Sequence, residues 1–280
     1  MTSRISEKKA SQRPANFTRR TVDLAGKLRR EGRWHLLVLY HLVRLSDFGR
    51  EGIERSGSYR FADHLYQNEA SGRGKLGRWL DRRLLDLPSA KAMRRRYQKA
   101  KDEIIRLLHS RSGPLKILAI PCGIPRDLSE VAATFPEAAR GIHYTGMDLD
   151  PEVLTAAEQH LEDVSLGSTE FIEGNALIAT SYPKERFDLI ISTGLGEFLD
   201  DPDLDRFYWN VFDALEEGGI FFTSATAFEH RSDFLMKAFE MEAHYRNKEQ
   251  IEAILRTLPW KQIDLEIDES GLQTFVRAIK

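Results

Sequence analysis

The chain has 280 residues, 41% of them hydrophobic and 30% charged, enough for one large domain plus an accessory one, each with its own core. Its one cysteine, Cys122, excludes an intramolecular disulfide, and no Cys/His cluster has zinc-ligand spacing, so no structural metal is expected. The net charge of −2 hides a split: residues 1–112 hold 27 Lys+Arg against 12 Asp+Glu, and the remainder 14 against 31. Such asymmetry suits two units that attract one another, or a basic unit that meets an anionic partner.

Residues 1–16 are polar and basic and read as a disordered tail. No apolar leader core is present, and the longest apolar run, WHLLVLYHLVRL from Trp34, is interrupted by histidines and shorter than a bilayer span. A cytoplasmic location is the expectation. From residue 17 to 112 apolar residues recur at three- and four-residue spacing, which predicts an all-helical region with breaks at Gly49–Gly57 and Ser71–Gly77. Its stripe Leu36, Leu37, Leu39, Tyr40, Leu42, Val43 and Leu45 reads as the core of that region. The sharper reading is a membrane-interfacial helix flanked by Arg33 and Arg44.

After Gly113 and Pro114 the period changes. LKILAI, HYTGMD, TEFIE, FDLIIS and GIFFTS are strand-length, and helical segments separate them, two with Asp-Pro start signals at Asp150 and Asp201. Alternation of this kind predicts a parallel sheet with right-handed crossovers and helices on both faces. KQIDLEI and QTFVRAI, joined by Asp268–Gly271, read as a closing hairpin that puts one strand antiparallel to the rest. The fold class is therefore α/β: a Rossmann-like, doubly wound, seven-stranded sheet over 113–280 with a C-terminal antiparallel hairpin, preceded by an all-helical region over 17–112.

In such a sheet a ligand lies beyond the carboxyl ends of the strands. The first turn, PCGIP, carries only Gly123 where a dinucleotide fingerprint needs three glycines, and no GK[ST] follows, so a phosphate cradle is disfavoured. Asp148 ends the second strand, where a carboxylate can accept from both ribose hydroxyls. Asn175 and the Ala176 backbone NH follow the third, where they can read an adenine edge. The order suits a nucleoside.

At these residues the chain resembles class I S-adenosylmethionine-dependent methyltransferases. ILAIPCG stands in place of the glycine-rich first motif, followed by GMDLDPEVL, FIEGNAL, FDLIISTGLGEFLDD, LEEGGIFFTS and the hairpin. The resemblance implies S-adenosylmethionine as cofactor, held by Pro121, Cys122, Gly123, Arg126, Asp148, Leu149, Asn175, Ala176, Thr193 and Gly194. It departs from the family at Ala119, at Pro121 and Pro125, and at Asn175, where Asp is common; Arg126 is then placed to meet the methionine carboxylate. FADHLYQNEASGRGKLGRWLDRRLL with AMRRRY is similar to a bacterial group of these enzymes that forms methyl esters of hydroxy fatty acids, which implies a carboxylate acceptor.

Methyl transfer rests on alignment and desolvation of the acceptor; a carboxylate wants an Arg or Tyr clamp, a hydroxyl wants a base. Glu197 and His230 are the catalytic candidates, and Tyr66, Arg73, Arg231, Tyr245 and Arg246 the acceptor-binding ones. Arg94 and Arg96 read as solvated. Cys122 lacks a histidine partner and is not expected to be a nucleophile. The expected partner is an anionic or lipid-like small molecule methylated on oxygen, with the helical region closing over it. An RNA- or protein-directed enzyme tracked by the basic segment is the alternative, although few aromatics interleave its cations. A third reading is a non-catalytic domain of the same fold.

Overall fold

The computed structural model describes residues 24–54, 58–229 and 243–280. The 1–16 tail, His230 and Arg231 lie outside the described residues. The helical region comprises α1 (Leu24–Arg30), α2 (Trp34–Val43), α3 (Asp47–Glu54), α4 (Tyr59–Gln67), α5 (Gly74–Leu85) and the long α6 (Pro88–Ser110). Then come β1 (Leu115–Ala119), α7 (Arg126–Thr134), α8 (Pro136–Ala139), β2 (Ile142–Asp148), α9 (Pro151–Leu161), β3 (Ser168–Glu173), β4 (Phe187–Ser192), α10 (Asp201–Ala214), β5 (Leu215–Thr226), α11 (Lys248–Leu255), β6 (Gln262–Ile267) and β7 (Gln273–Ile279).

The seven strands form one sheet in the order β3-β2-β1-β4-β5-β7-β6. Pairing is parallel from β3 to β5, and β7 runs antiparallel to both β5 and β6, so the hairpin inserts its second strand next to β5. The hairpin turn is held by Asp268, whose Oδ1 accepts from the backbone NH of Leu272 and Gln273 at 2.9 Å each, and Gly271 takes φ +72°, where a side chain would be strained. The first Asp-Pro signal acts as read, Asp150 capping α9 through the backbone NH of Glu152; α10 is capped one residue earlier than expected, by Asp200 rather than Asp201, through the NH of Asp203. One face of the sheet is covered by α10 and α11 around Phe207, Tyr208, Phe221 and Val276; the other by α6 and α7 around Ile104, Leu128, Leu189 and Phe275.

Two expectations for the helical region need correction. Gly49 and Gly52 lie inside α3 rather than in a break. A Cβ on Gly49 would stand 2.5 Å from Val43 Cγ1, and one on Gly52 would stand 3.2 Å from the Phe61 ring, so close packing rather than helix termination explains them. The apolar stripe on α2 is also divided: Leu37 and Val43 are buried and Leu36 and Tyr40 partly so, whereas Leu39 and Leu42 are exposed. The region is tied together by Asp81 of α5, which is fully buried. Its carboxylate accepts from the Ser46 hydroxyl and from the backbone NH of Phe48, Ser71 and Gly72.

Candidate active site

The carboxyl ends of β3, β2, β1 and β4 bring most of the sequence-named residues to one edge, because adjacent parallel strands deliver their following loops side by side. After β1, the Ile120–Pro121 bond is cis, Pro121 is exposed and Cys122 is buried with its NH on Met147 O at 3.0 Å. Burial, with the Asp148 charge behind it, pushes the Cys122 thiol far up, which keeps it protonated and unreactive. Gly123 has φ +52°, and a Cβ built there would meet nothing within 4 Å, so the backbone of this turn borders open space.

Asp148 faces that turn. Burial raises its carboxyl above the ordinary range, opposed by the backbone NH groups of Asp150, Gly123 and Leu149, the first of which donates to Oδ1 at 3.1 Å. A half-buried carboxylate oriented by three amides and touching the first loop is a suitable seat for vicinal hydroxyls. Leu149 and Ile178 project at 46% and 47% exposure from the loops after β2 and β3, two apolar side chains suited to flank a flat purine. Ile178 was not legible as a site residue, because a lone aliphatic in a loop carries no signal. Asn175 forms an Asx turn, its Oδ1 accepting from Leu177 NH at 2.9 Å, which leaves its amide NH2 to act outward. The Ala176 carbonyl is occupied by Tyr182 OH and Asn210 Nδ2. These residues fit a nucleoside; a loop that offers one glycine and two prolines does not fit a pyrophosphate.

Arg126 opens α7 but does not face this edge with a free guanidinium. Its Nε and Nη2 both donate to the carboxylate of Asp63, from α4, which holds the guanidinium above its ordinary pKa. Tyr59, four residues before Asp63, packs against Cys122, Val153 and Ala157 and donates its hydroxyl to Glu152 at 3.0 Å; Tyr66, three after it, stacks on Tyr97 at 4.7 Å. One stripe of α4 therefore touches α9, α7 and α6 in turn and lays this helix across the mouth of the site.

The most consequential correction concerns Arg96. It is 4% exposed, not solvated, and donates from Nη1 to Oε1 of Glu197 at 2.9 Å. Burial works against its charge, but Tyr66 and Glu197 outweigh it, so its pKa lies above the ordinary value. Arg94 likewise turns inward, to the Leu85 carbonyl at 2.8 Å. The signal for Arg96 was present: Ala92, Arg96 and Ala100 are four apart and all buried on α6, the two alanines leaving room for the long side chain between them.

Glu197 sits in a short 3-10 turn after β4, 8% exposed. Its Oε1 also accepts from the Thr226 hydroxyl at 2.7 Å, and Thr226 in turn accepts from Gln273 Nε2 at 2.8 Å. Among the described residues Oε2 is buried with no partner, as are Arg96 Nε, Ser192 Oγ, Ser224 Oγ and Gln273 Oε1. Buried polar atoms without partners are uncommon, and a group of them beside the strand ends marks where a ligand would complete the bonding. Gly194 takes φ +94°, and a Cβ there would stand 2.9 Å from Arg96 Nη2, so this glycine makes room for the guanidinium.

Arg246 is not an open anion clamp: it is 5% exposed and donates to Asp201 and to the carbonyls of Gly196 and Leu199. It braces the turn that carries Glu197, while the neighbouring NH of His244 meets the Glu197 carbonyl at 2.7 Å. Tyr245 packs edge-on to Phe228. Arg73 is exposed at the start of α5, its backbone NH on Leu45 O, and is not brought to the strand ends. Among the described residues no cluster of His, Cys, Asp and Glu could hold a metal ion, and no helix is long and apolar enough to cross a membrane.

Comparison with known proteins agrees with this fold. Residues 118–221 match a family model described as a methyltransferase domain. No curated protein matches the sequence. Among solved structures, a possible exported protein from Bordetella parapertussis is similar over 97% of this chain and 98% of its own, at 22% identity and a TM-score of 0.76. The magnesium protoporphyrin IX methyltransferase of Synechocystis PCC 6803, solved with bound SAH, is similar over 78% of this chain and 93% of its own, at 13% identity and a TM-score of 0.52. The CMeT domain of the citrinin polyketide synthase is similar over 78% and 65%, at 14% identity and a TM-score of 0.56. At these identities the likenesses speak to the fold.

Proposed function

Residues 118–221 form a methyltransferase domain of the S-adenosylmethionine-dependent type, and from that premise we propose that the chain methylates an oxygen of an anionic or lipid-like small molecule. The acceptor would enter between the strand ends and the helical region. Asp148 would hold the ribose, Asn175 and the Ala176 NH the adenine edge, and Leu149 and Ile178 its faces. Bound S-adenosylmethionine supplies an electrophilic methyl group on a sulfonium and leaves as the neutral thioether.

One observation carries the choice of acceptor atom. Each described arginine at the site is committed to a partner of this chain: Arg96 to Glu197, Arg126 to Asp63, Arg246 to Asp201 and two carbonyls. Among the described residues the carboxylate oxygen left open is Glu197 Oε2; the Arg96 Nε left open beside it belongs to a guanidinium already paired with Glu197. Among the described residues a carboxylate acceptor would therefore find no uncommitted guanidinium, whereas a hydroxyl would find a buried carboxylate oxygen to receive its proton. The acceptor oxygen, on taking the methyl group, would lose its proton to Oε2, while Arg96 and Thr226 hold Oε1 and fix the carboxylate plane. Arg96 is thus a positioning residue. The helical region excludes water, which strengthens these bonds. The implied ester-forming chemistry of the N-terminal resemblance is the less favoured reading.

The test is transfer of isotope-labelled methyl from S-adenosylmethionine into a metabolite extract. A base-stable, lipid-extractable methyl ether supports the proposal. A base-labile methyl ester would replace hydroxyl by carboxylate, and label in RNA or protein would overturn the small-molecule reading.

A further inference from the structure

The helical region carries a surface that the site does not use. On α5 the residues Gly77, Asp81 and Leu85 are buried, which turns Lys75, Leu76, Arg78, Trp79, Arg82 and Arg83 outward. At 100° per residue, Trp79 lies opposite the centre of the buried stripe, and the cations flank it on both sides. Trp79 and Leu76 are each 51% exposed, and Arg83 sits over the indole at 5.4 Å. The one acid of α5 is Asp81, which is consumed inside. This outer face is therefore basic with an apolar centre.

The same helical region carries a second apolar ridge, on α2. Trp34, Val38 and Leu42, at four-residue spacing on α2, are 63%, 62% and 43% exposed. The residues that follow α2 touch the start of α5: the Leu45 carbonyl accepts from Arg73 NH at 2.9 Å and would stand 2.3 Å from a Cβ on Gly77. Large apolar side chains held in water at this density, interleaved with cations and an arginine stacked on an indole, are unfavourable unless something covers them.

We infer that the outer face of α5, together with the α2 ridge, docks on an anionic lipid surface, with Trp79 and Leu76 entering the headgroup layer and Lys75, Arg78, Arg82 and Arg83 pairing with lipid phosphates and carboxylates. Charge complementarity selects this occupant. The face has four cations, its one exposed acid, Asp86 at the end of α5, pairs with Lys91 at 3.2 Å, and the sequence is basic over residues 1–112 and acidic beyond, so a negative surface attracts this face and repels the acidic remainder. The aliphatic members Leu76, Val38 and Leu42 suit acyl chains and offer no stacking plane to a nucleobase. The inference is independent of the acceptor's identity, but it would bring the mouth of the site to a source of lipid-like acceptors.

The experiment is sedimentation of the full chain with large unilamellar vesicles of phosphatidylcholine, alone or with about one-third phosphatidylserine. Binding to the serine-containing vesicles that weakens with salt is expected, with little on the neutral ones. The variant Lys75→Glu/Arg82→Glu/Arg83→Glu should bind about a hundredfold more weakly, from roughly fivefold per cation. Leu76→Ser/Trp79→Ser should bind about tenfold more weakly with its salt dependence kept. All five side chains are exposed, circular-dichroism melts check each variant separately, and either one alone decides the matter. Three results would overturn the inference. The first is no binding to anionic vesicles at low salt. The second is binding indifferent to both variants, as when residues 1–23 carry it. The third is a chain that ignores vesicles but binds poly(U), or that halves in mass by light scattering when Leu76 and Trp79 are changed.

Discussion

Arg96→Met removes the guanidinium and leaves Glu197 buried with one donor, Thr226, where it had two. The side chains of the pair are 5% and 10% exposed, so solvent screens them little. Breaking a buried pair from one side costs about 3–5 kcal/mol. The retained Thr226 bond argues for the lower end, about 3 kcal/mol. For a chain of this size the melting temperature should fall by roughly 5–8 °C. Glu197→Gln keeps an Oε1 acceptor for Arg96 and should cost less, about 1–2 kcal/mol. The double variant, Arg96→Met with Glu197→Gln, leaves no buried charge and should lie within about 1 kcal/mol of the unmodified chain, so the coupling measured by urea denaturation should be about 3 kcal/mol. A coupling under about 0.5 kcal/mol, or an Arg96→Met cost under about 1 kcal/mol, would mean the pair is solvated and would remove Arg96 as the residue that orients Glu197.

Asp81→Ala strips the partner from the Ser46 hydroxyl and from three backbone amides, and should destabilise the helical region by about 3–5 kcal/mol; amide exchange that quickens at Phe48, Ser71 and Gly72 ahead of the sheet is the expected readout. Burial raises Asp127 from 3.8 to about 6. The folded chain then holds that proton more tightly than the unfolded one, so its contribution favours folding below about pH 4 and is lost as pH rises to about 6. Because Asp127 is partly exposed, Asp127→Asn should gain only about 1–2 kcal/mol over the unmodified chain between pH 4 and pH 7; equal stability difference at both ends would contradict the assignment.

What the sequence disclosed followed the locality of the signal. Strand and helix periods, the Asp-Pro helix starts and the hairpin turn at Asp268–Gly271 are local signals, and the structure bears them out, with the cap of α10 one residue earlier, at Asp200. Asp148 and Gly123 were legible because strand ends in a parallel sheet converge on one edge. The pairings across that edge were not. Arg126 meets Asp63 and Arg96 meets Glu197 over separations of 63 and 101 residues, and no short window contains either pair. The run Arg94-Arg95-Arg96 reads as a solvated face; only the alanines four residues to either side of Arg96 show that it points into the core. Gly49 and Gly52 misled for the opposite reason, since low helix propensity is outweighed where a side chain would collide with Val43 or Phe61.

Calorimetric titration with S-adenosylhomocysteine, on the unmodified chain and on Asp148→Ala, bears most directly on the nucleoside site. One-to-one binding is expected, weakened about a hundredfold or more by Asp148→Ala, since two charge-assisted hydrogen bonds to ribose hydroxyls contribute about 1.5–3 kcal/mol each. No binding to the unmodified chain, or equal affinity in the variant, would contradict the placement of the ribose on Asp148 and with it the site described above.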